Sequence, residues 1–387
     1  MQAELPASLP TPDPDSARHS DACARHIAAC IEDSGGSISF ARYMHEALYA
    51  PGLGYYAAGA TKFGTSGDFV TAPEVSPLFG RVIARQCAPV LESIGGDLLE
   101  IGAGSGRLAV AVLRKLDELG TLPGEYRILE VSADLQDRQA ALIGEQIPEL
   151  RGRVRWIEAL PQQFSGVVLA NEVLDALPVE RFVRRDAVRQ LRVTNTASGF
   201  AFDEAPAPDM LAAAVAQIEA NLGARLSDGY MSEVSLAIPP WIRDVLASLR
   251  EGLVLLFDYG LPREHYYAPD RANGWLRCHF RHRAHDDPLI LPGIQDITSW
   301  VDFSAVINAA ELAGADIEGL TTQAHFLLHG GLDAEMQNFT TLSQREQLEL
   351  SAQVKKLTLP GEMGEHFKCL GLSKGLNVQL DAFRSSR

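Results

Sequence analysis

Between Asp97 and Arg107 the chain reads DLLEIGAGSGR: an apolar stretch, an acid, then glycine at every second position. Leu98, Leu99, Glu100 and Ile101 read as a short strand, and Gly102, Gly104 and Gly106 follow it. Leu108, Val112, Leu113, Leu116 and Leu119 then recur at three- and four-residue steps, the period of a helix, and Gly120 supplies its stop. A strand that turns into a helix this way presents main-chain N–H groups to an anionic or polar ligand. Glycine is required because a Cβ blocks both positive φ and close approach.

The dinucleotide fingerprint G-x-G-x-x-G puts its third glycine one position later, where this chain has Arg107. An acid, Glu100, two residues before the first glycine, followed by G-x-G-x-G, instead resembles the first motif of the Rossmann-like S-adenosylmethionine (SAM) methyltransferases. A second acid agrees. Tyr126 to Glu130 reads as the next strand, and a carboxylate at its carboxyl end can accept both hydroxyls of a ribose. Ser132 then caps a helix from Ala133 to about Gln146, with Asp134 favoured near its N-terminus by the helix dipole.

The length of 387 residues allows a full α/β core with a cap or an insertion. No apolar run is long enough to cross a bilayer. The net charge of −16 argues against nucleic acid, whose phosphates call for a basic surface. Cys23, Cys30, Cys87, Cys278 and Cys369 are odd in number and form no CxxC pair, which reads as a reduced, cytoplasmic thiol set. Residues 1–20 hold three acids and several prolines, unlike an arginine-rich transit peptide, and read as a mobile tail on a bacterial-type protein.

Strands expected at 98–101, 126–130, 153–157, 166–170 and 252–258 alternate with helices, the pattern of a doubly wound, mostly parallel α/β sheet. Residues 21–95 read as a helical N-terminal cap. Residues 96–177 and 237–387 read as the core, and 178–236 as an inserted subdomain with a hairpin and an alanine-rich helix from Met210 to Leu222. The tail predicts helix 303–313, strand 321–328, helix 343–356 and a last strand near 367–372, completing a seven-stranded sheet.

Asn171, Glu172 and Asp175 follow the fourth strand. Ligands of open α/β sheets bind beyond the carboxyl ends of the strands, so these three are the expected catalytic residues. A methyl donor with an activated sulfonium calls for alignment of the nucleophile more than for acid chemistry. For an arginine nucleophile, carboxylates that grip the guanidinium are the fitting device, and Glu172 and Asp175 suit it. Capping of the strand end by Asn171 and Glu172 stays open as the alternative.

Read in order, YMHEALYAPGLGYY, GDFVTAPEVSPLFGR, LEIGAGSGRL, LEVSADLQDRQ, ANEVLDALPVERF, LLFDYG, DITSWVDFSA and GEMGEHFKCL resemble the MidA-like family of SAM-dependent methyltransferases over about residues 37–375. Ala103 departs from the proline that this family often carries there. The resemblance implies a Rossmann-like methyltransferase fold, SAM as cofactor and a protein substrate. Mitochondrial members of that family assist assembly of respiratory complex I by methylating an arginine, so arginine is the favoured target. By the same resemblance Gly102, Gly104 and Gly106 would face the methionine part of SAM, Glu130 the ribose and Glu158 the adenine. Asp68, Thr71 and Glu74 would reach the methionine end. Glu100, Ser132, Leu135 and Asn171 complete the expected cofactor set.

Cys278 to Asp287 packs three histidines (His279, His282, His285), a cysteine and two acids into ten residues, but its spacing matches no zinc pattern and no metal is expected. It reads as a polar loop, either lining a substrate cleft or solvated. His325 and His329 read as structural. A non-catalytic SAM-binding scaffold and a small-molecule methyltransferase remain the alternative functions, and homodimerisation stays open.

Overall fold

The computed structural model describes Pro6 and residues 9–57 and 70–384. The chain divides into two compact units. One draws on residues 1–69, 174–240 and 261–305, the other on 70–173, 241–260 and 306–387.

The second unit is built on a sheet whose unbroken path runs Asp316–Thr322, Phe367–Lys374, Leu249–Leu261, Phe164–Asn171, Asp97–Ile101, Tyr126–Leu129, Val154–Ile157. The last five are mutually parallel, and the first two join antiparallel to their neighbours. The buried strand residues Leu98, Leu99, Val167, Val168 and Leu253 to Leu256 form continuous apolar runs, as parallel strands require when neither face meets water. Strand order reverses between Asp97–Ile101 and Phe164–Asn171, the point at which open sheets of this kind hold ligands. Phe79, Phe257 and Phe326 meet edge to face at 5.1 and 5.0 Å in the core, a geometry contributing about 1 kcal/mol per pair beyond area burial.

The first unit has an antiparallel sheet in which Ser37–Ser39, Val188–Thr196, Glu180–Arg184 and Met231–Val234 follow in order, with Gly199–Pro206 paired to Val188–Thr196. A three-stranded sheet orders Arg283–His285, Leu276–Phe280 and Asp296–Ser299. The helices Pro14–Asp33 and Phe40–Tyr49 bury Cys23, Ile27, Phe40, Tyr43 and Met44 in one cluster with Val193, Cys278 and Ile297.

These partners revise several expectations. The tail expected through residue 20 is helical from Pro14, because Asp13 accepts hydrogen bonds from the Asp15 and Ser16 N–H groups and caps the helix. The cap expected to end at 95 ends near 69, since Phe79, Val82, Ile83 and Cys87 of the Pro77–Ile94 helix share their core with Leu108, Val112 and Phe257. Cap and insertion form one unit, stitched where Ser37–Ser39 pairs with Arg192–Thr194. Residues 261–305, expected in the core, also join it through Cys278 and Ile297. The Cys278–Asp287 loop is in part a hairpin, turning through Arg281 and His282 at φ 49° and 60°. The strand expected at 321–328 ends at Thr322, whose hydroxyl accepts from the His325 N–H and starts the Gln323–His329 helix. His325 and His329 stack on that helix with ring centroids 3.8 Å apart.

Candidate cofactor and transfer site

Parallel pairing on both sides fixes the carboxyl end of Asp97–Ile101. From there Gly102, Gly104 and Gly106 take φ of 70°, 54° and 85°. A Cβ on Gly102 would stand 3.1 Å from Val173 Cγ2, and one on Gly106 3.3 Å from Gln139 Cγ, so a side chain there would be strained by φ and tight against these neighbours. Gly106 caps the Arg107–Leu119 helix without a side-chain capping bond, so the capping role is left open to a ligand.

The next strand tip carries Glu130, buried, with Oε1 accepting from the Ser132 N–H at 2.9 Å. Ser132 in turn caps its helix at the Leu135 N–H, 3.4 Å away, and Leu135 is buried beneath. Gln139, fully buried on the same helix, links the whole region. Its Nε2 donates to the Gly104 carbonyl at 2.9 Å and to Glu130 Oε2 at 3.3 Å, while its Oε1 accepts from the Trp156 indole N–H at 2.8 Å. Neither Gln139 nor Trp156 was singled out from the sequence. The signal was thin: a glutamine one turn and a half into an amphipathic helix reads as surface. Glu158 is exposed immediately after the Val154–Ile157 strand.

Glu100 faces inward. It is 2% exposed and accepts a hydrogen bond from the Tyr126 hydroxyl at 2.7 Å. Burial pushes its carboxyl up to about 7, the tyrosine bond opposing this and the Glu130 charge adding to it. Glu100 therefore lies beneath the turn, bonded to the neighbouring strand through Tyr126.

Glu74, on the short Ala72–Val75 helix, accepts from the Ser105 hydroxyl and pairs with the Arg107 guanidinium at 2.9 Å, so it clasps the glycine turn. Thr71 is the N-cap of that helix and makes no side-chain capping bond. Asp68 lies outside the described residues.

Asn171 closes the Phe164–Asn171 strand and donates from Nδ2 to Glu172 Oε1 at 3.2 Å. Its Oδ1 is buried with no hydrogen-bond partner among the described residues. Glu172 stands in the left-handed region at φ 55°, held by its N–H to the Phe257 carbonyl at 2.8 Å. Asp175 belongs to the first unit, where it is buried and its carbonyl accepts from the Ser299 N–H at 3.0 Å. Burial first, then the charges of Asp175 and Asp296, hold the Tyr49 phenol well above its ordinary value.

Residues 82–321, more than half of the chain, match the family described as S-adenosyl-L-methionine-dependent methyltransferase. The chain belongs to that family. Among solved structures, a Burkholderia thailandensis protein determined with S-adenosyl-homocysteine bound is 42% identical, with a TM-score of 0.91 and 97% of both chains covered. "Protein arginine methyltransferase NDUFAF7 homolog, mitochondrial" of Drosophila melanogaster is 30% identical, the match covering 90% of this chain and 85% of that protein. "Protein arginine methyltransferase NDUFAF7, mitochondrial" of Homo sapiens is 28% identical, covering 90% and 82%. The fold is thus the Rossmann-like fold of SAM methyltransferases, and this methyltransferase takes SAM as its cofactor. The names of the relatives place them in mitochondria, which overturns the cytoplasmic location read from the sequence. No helix of the described residues is long and apolar enough to cross a membrane.

The site fits the cofactor. At positive φ the glycine turn presents main-chain groups without side chains, and the Asn171 side-chain oxygen is a buried acceptor suited to an ammonium or guanidinium.

Proposed function

We propose that this methyltransferase modifies the guanidinium of an arginine in a protein substrate, with Asn171 and Glu172 as the residues that hold the acceptor. The bound cofactor supplies an electrophilic methyl group on a sulfonium. Gly102, Gly104 and Gly106 hold its polar tail against main-chain N–H groups, and the Glu130 carboxylate accepts from its ribose. Ser132 and Leu135 fix the helix start beside that carboxylate, while Glu158 and Trp156 stand at the strand tip beyond. Glu74 secures the turn through Ser105 and Arg107, and Thr71 begins its helix.

The observation that carries the reading is the Asn171–Glu172 pair at the switch point: a buried acceptor without a partner among the described residues, beside a carboxylate held at positive φ. A guanidinium has a free pKa above 12 and is charged in water. A carboxylate that grips it orients one nitrogen and takes the proton released as the new bond forms. The arginine specificity in the relatives' names supports the same substrate class. A part in assembling a respiratory complex, which the family resemblance implies, belongs to this proposal.

Incubation with methyl-labelled SAM and a cell extract tests it. The expected result is a discrete labelled protein band that yields methylarginine on hydrolysis and is absent with Glu172→Gln. Label confined to small molecules, or to another side chain, overturns the arginine reading.

A further inference from the structure

The first unit holds a donor cluster that methyl transfer does not use. His26 and Cys30 lie four residues apart on the Pro14–Asp33 helix and so share one face. Glu46, on the Phe40–Tyr49 helix, reaches them from the other side. His26 Nε2 stands 2.8 Å from Glu46 Oε2 and 3.8 Å from Cys30 Sγ, and the three donor atoms all lie within 4.8 Å of one another. A tetrahedral zinc ion with bonds of roughly 2.0–2.3 Å separates its ligand atoms by roughly 3.3–3.7 Å. The His26–Cys30 distance is already close to that, and the His26–Glu46 pair needs to open by only about 0.5 Å.

We infer that His26 Nε2, Cys30 Sγ and Glu46 Oε2 bind one zinc ion, with water in the fourth position. Imidazole and thiolate select zinc over magnesium or calcium, which take oxygen ligands. Glu46 is buried, and its other oxygen, Oε1, is held by the Arg42 guanidinium at 2.7 Å, an outer contact that aims Oε2 at the histidine. His26 and Cys30 are partly exposed, which gives the ion a way in. On binding, the Cys30 thiol gives its proton to solvent, the His26 ring shifts its proton from Nε2 to Nδ1, and zinc replaces the His26–Glu46 hydrogen bond. The ion then clips together the two helices that already share Cys23, Ile27, Ile31, Phe40, Tyr43 and Met44. The sequence held no hint of this site, because Cys30 and Glu46 are separated by a turn and a short strand with no finger-like spacing.

Titration of the full-length protein with cobalt(II), read by absorbance, tests the inference. The expected result is a thiolate-to-cobalt charge-transfer band with tetrahedral ligand-field bands, saturating at one equivalent and removed by zinc. Cys30→Ser abolishes the charge-transfer band, and His26→Ala weakens zinc binding at least about tenfold, with circular dichroism confirming the fold. Absence of the band in the wild-type protein, or its persistence in Cys30→Ser, overturns the assignment.

Discussion

Gln139 donates from Nε2 to the Gly104 carbonyl at 2.9 Å, tying the middle of the glycine turn to the helix behind it. The same amide bonds Glu130 and Trp156, so one side chain sets the spacing between three successive strand tips. Gln139→Leu keeps the volume but leaves the half-buried Trp156 N–H and the Gly104 carbonyl without this partner, at a cost of about 1–3 kcal/mol. Part of that cost falls on cofactor binding. Calorimetric titration should show the SAM dissociation constant rising about tenfold with the circular dichroism spectrum unchanged. An unchanged constant would show that Gln139 serves only packing.

Glu130 offers a second prediction. Its carboxylate is held by the Ser132 N–H at 2.9 Å, so its orientation survives without ligand. Glu130→Gln keeps the shape and removes one acceptor oxygen along with the charge. Loss of charge-assisted bonds to ribose hydroxyls costs roughly 1.5–3 kcal/mol, so SAM affinity should fall about 10- to 100-fold in the same titration. A loss below twofold would place the ribose elsewhere.

The glycine turn, the acid after the second core strand and the Ser132 cap were legible because each is a local event: strand, turn and helix start within a dozen residues. Gln139 was not, because its partners Gly104 and Trp156 lie 35 and 17 residues away along the chain. Glu100 was placed correctly on its strand, yet its partner Tyr126 arrives through lateral pairing with the neighbouring strand, so its inward role was hidden. The Gln323–His329 helix was read as strand because seven residues are too few to display a helical period, and the Thr322 cap decided the matter. The boundary near residue 69 was invisible for the same reason as the shared sheet: pairing of Ser37–Ser39 with Arg192–Thr194 spans about 155 residues.

Glu100 makes stability depend on pH. Its carboxyl rises from an ordinary 4.5 to about 7 in the folded chain, mainly through burial. Between these values the folded state keeps a proton that the unfolded state has lost. Stability from this group is therefore full below about pH 4.5, declines as pH rises through about 7 and stays reduced above it. The difference is on the order of 3 kcal/mol. Glu100→Gln resembles the protonated acid and keeps an oxygen for the Tyr126 hydroxyl. Thermal melts should show the variant more stable than wild type at pH 8, the gap closing at pH 5. A gap that does not change with pH would mean that the Glu100 charge is not the cause.

Glu172 separates function from stability in a single residue. At φ 55° a non-glycine residue carries about 1 kcal/mol of backbone strain, and the N–H to the Phe257 carbonyl and the Asn171 contact help to hold it there. A carboxylate kept at such a position suggests that its direction is worth the strain. Glu172→Gly relieves the backbone, retains the N–H to Phe257 and removes only the carboxylate. The melting temperature should stay level or rise by a few degrees, and SAM affinity should stay within about threefold. Methyl incorporation into extract protein should fall at least about 100-fold, since the grip on the acceptor and the proton's destination are lost together. Glu172→Asp, whose shorter side chain also tolerates the left-handed region, should recover only part of that rate because its oxygen sits one methylene short. If instead the glycine variant melts lower and loses SAM affinity and rate in parallel, Glu172 is a strand-end cap, and the acceptor must be held by other groups.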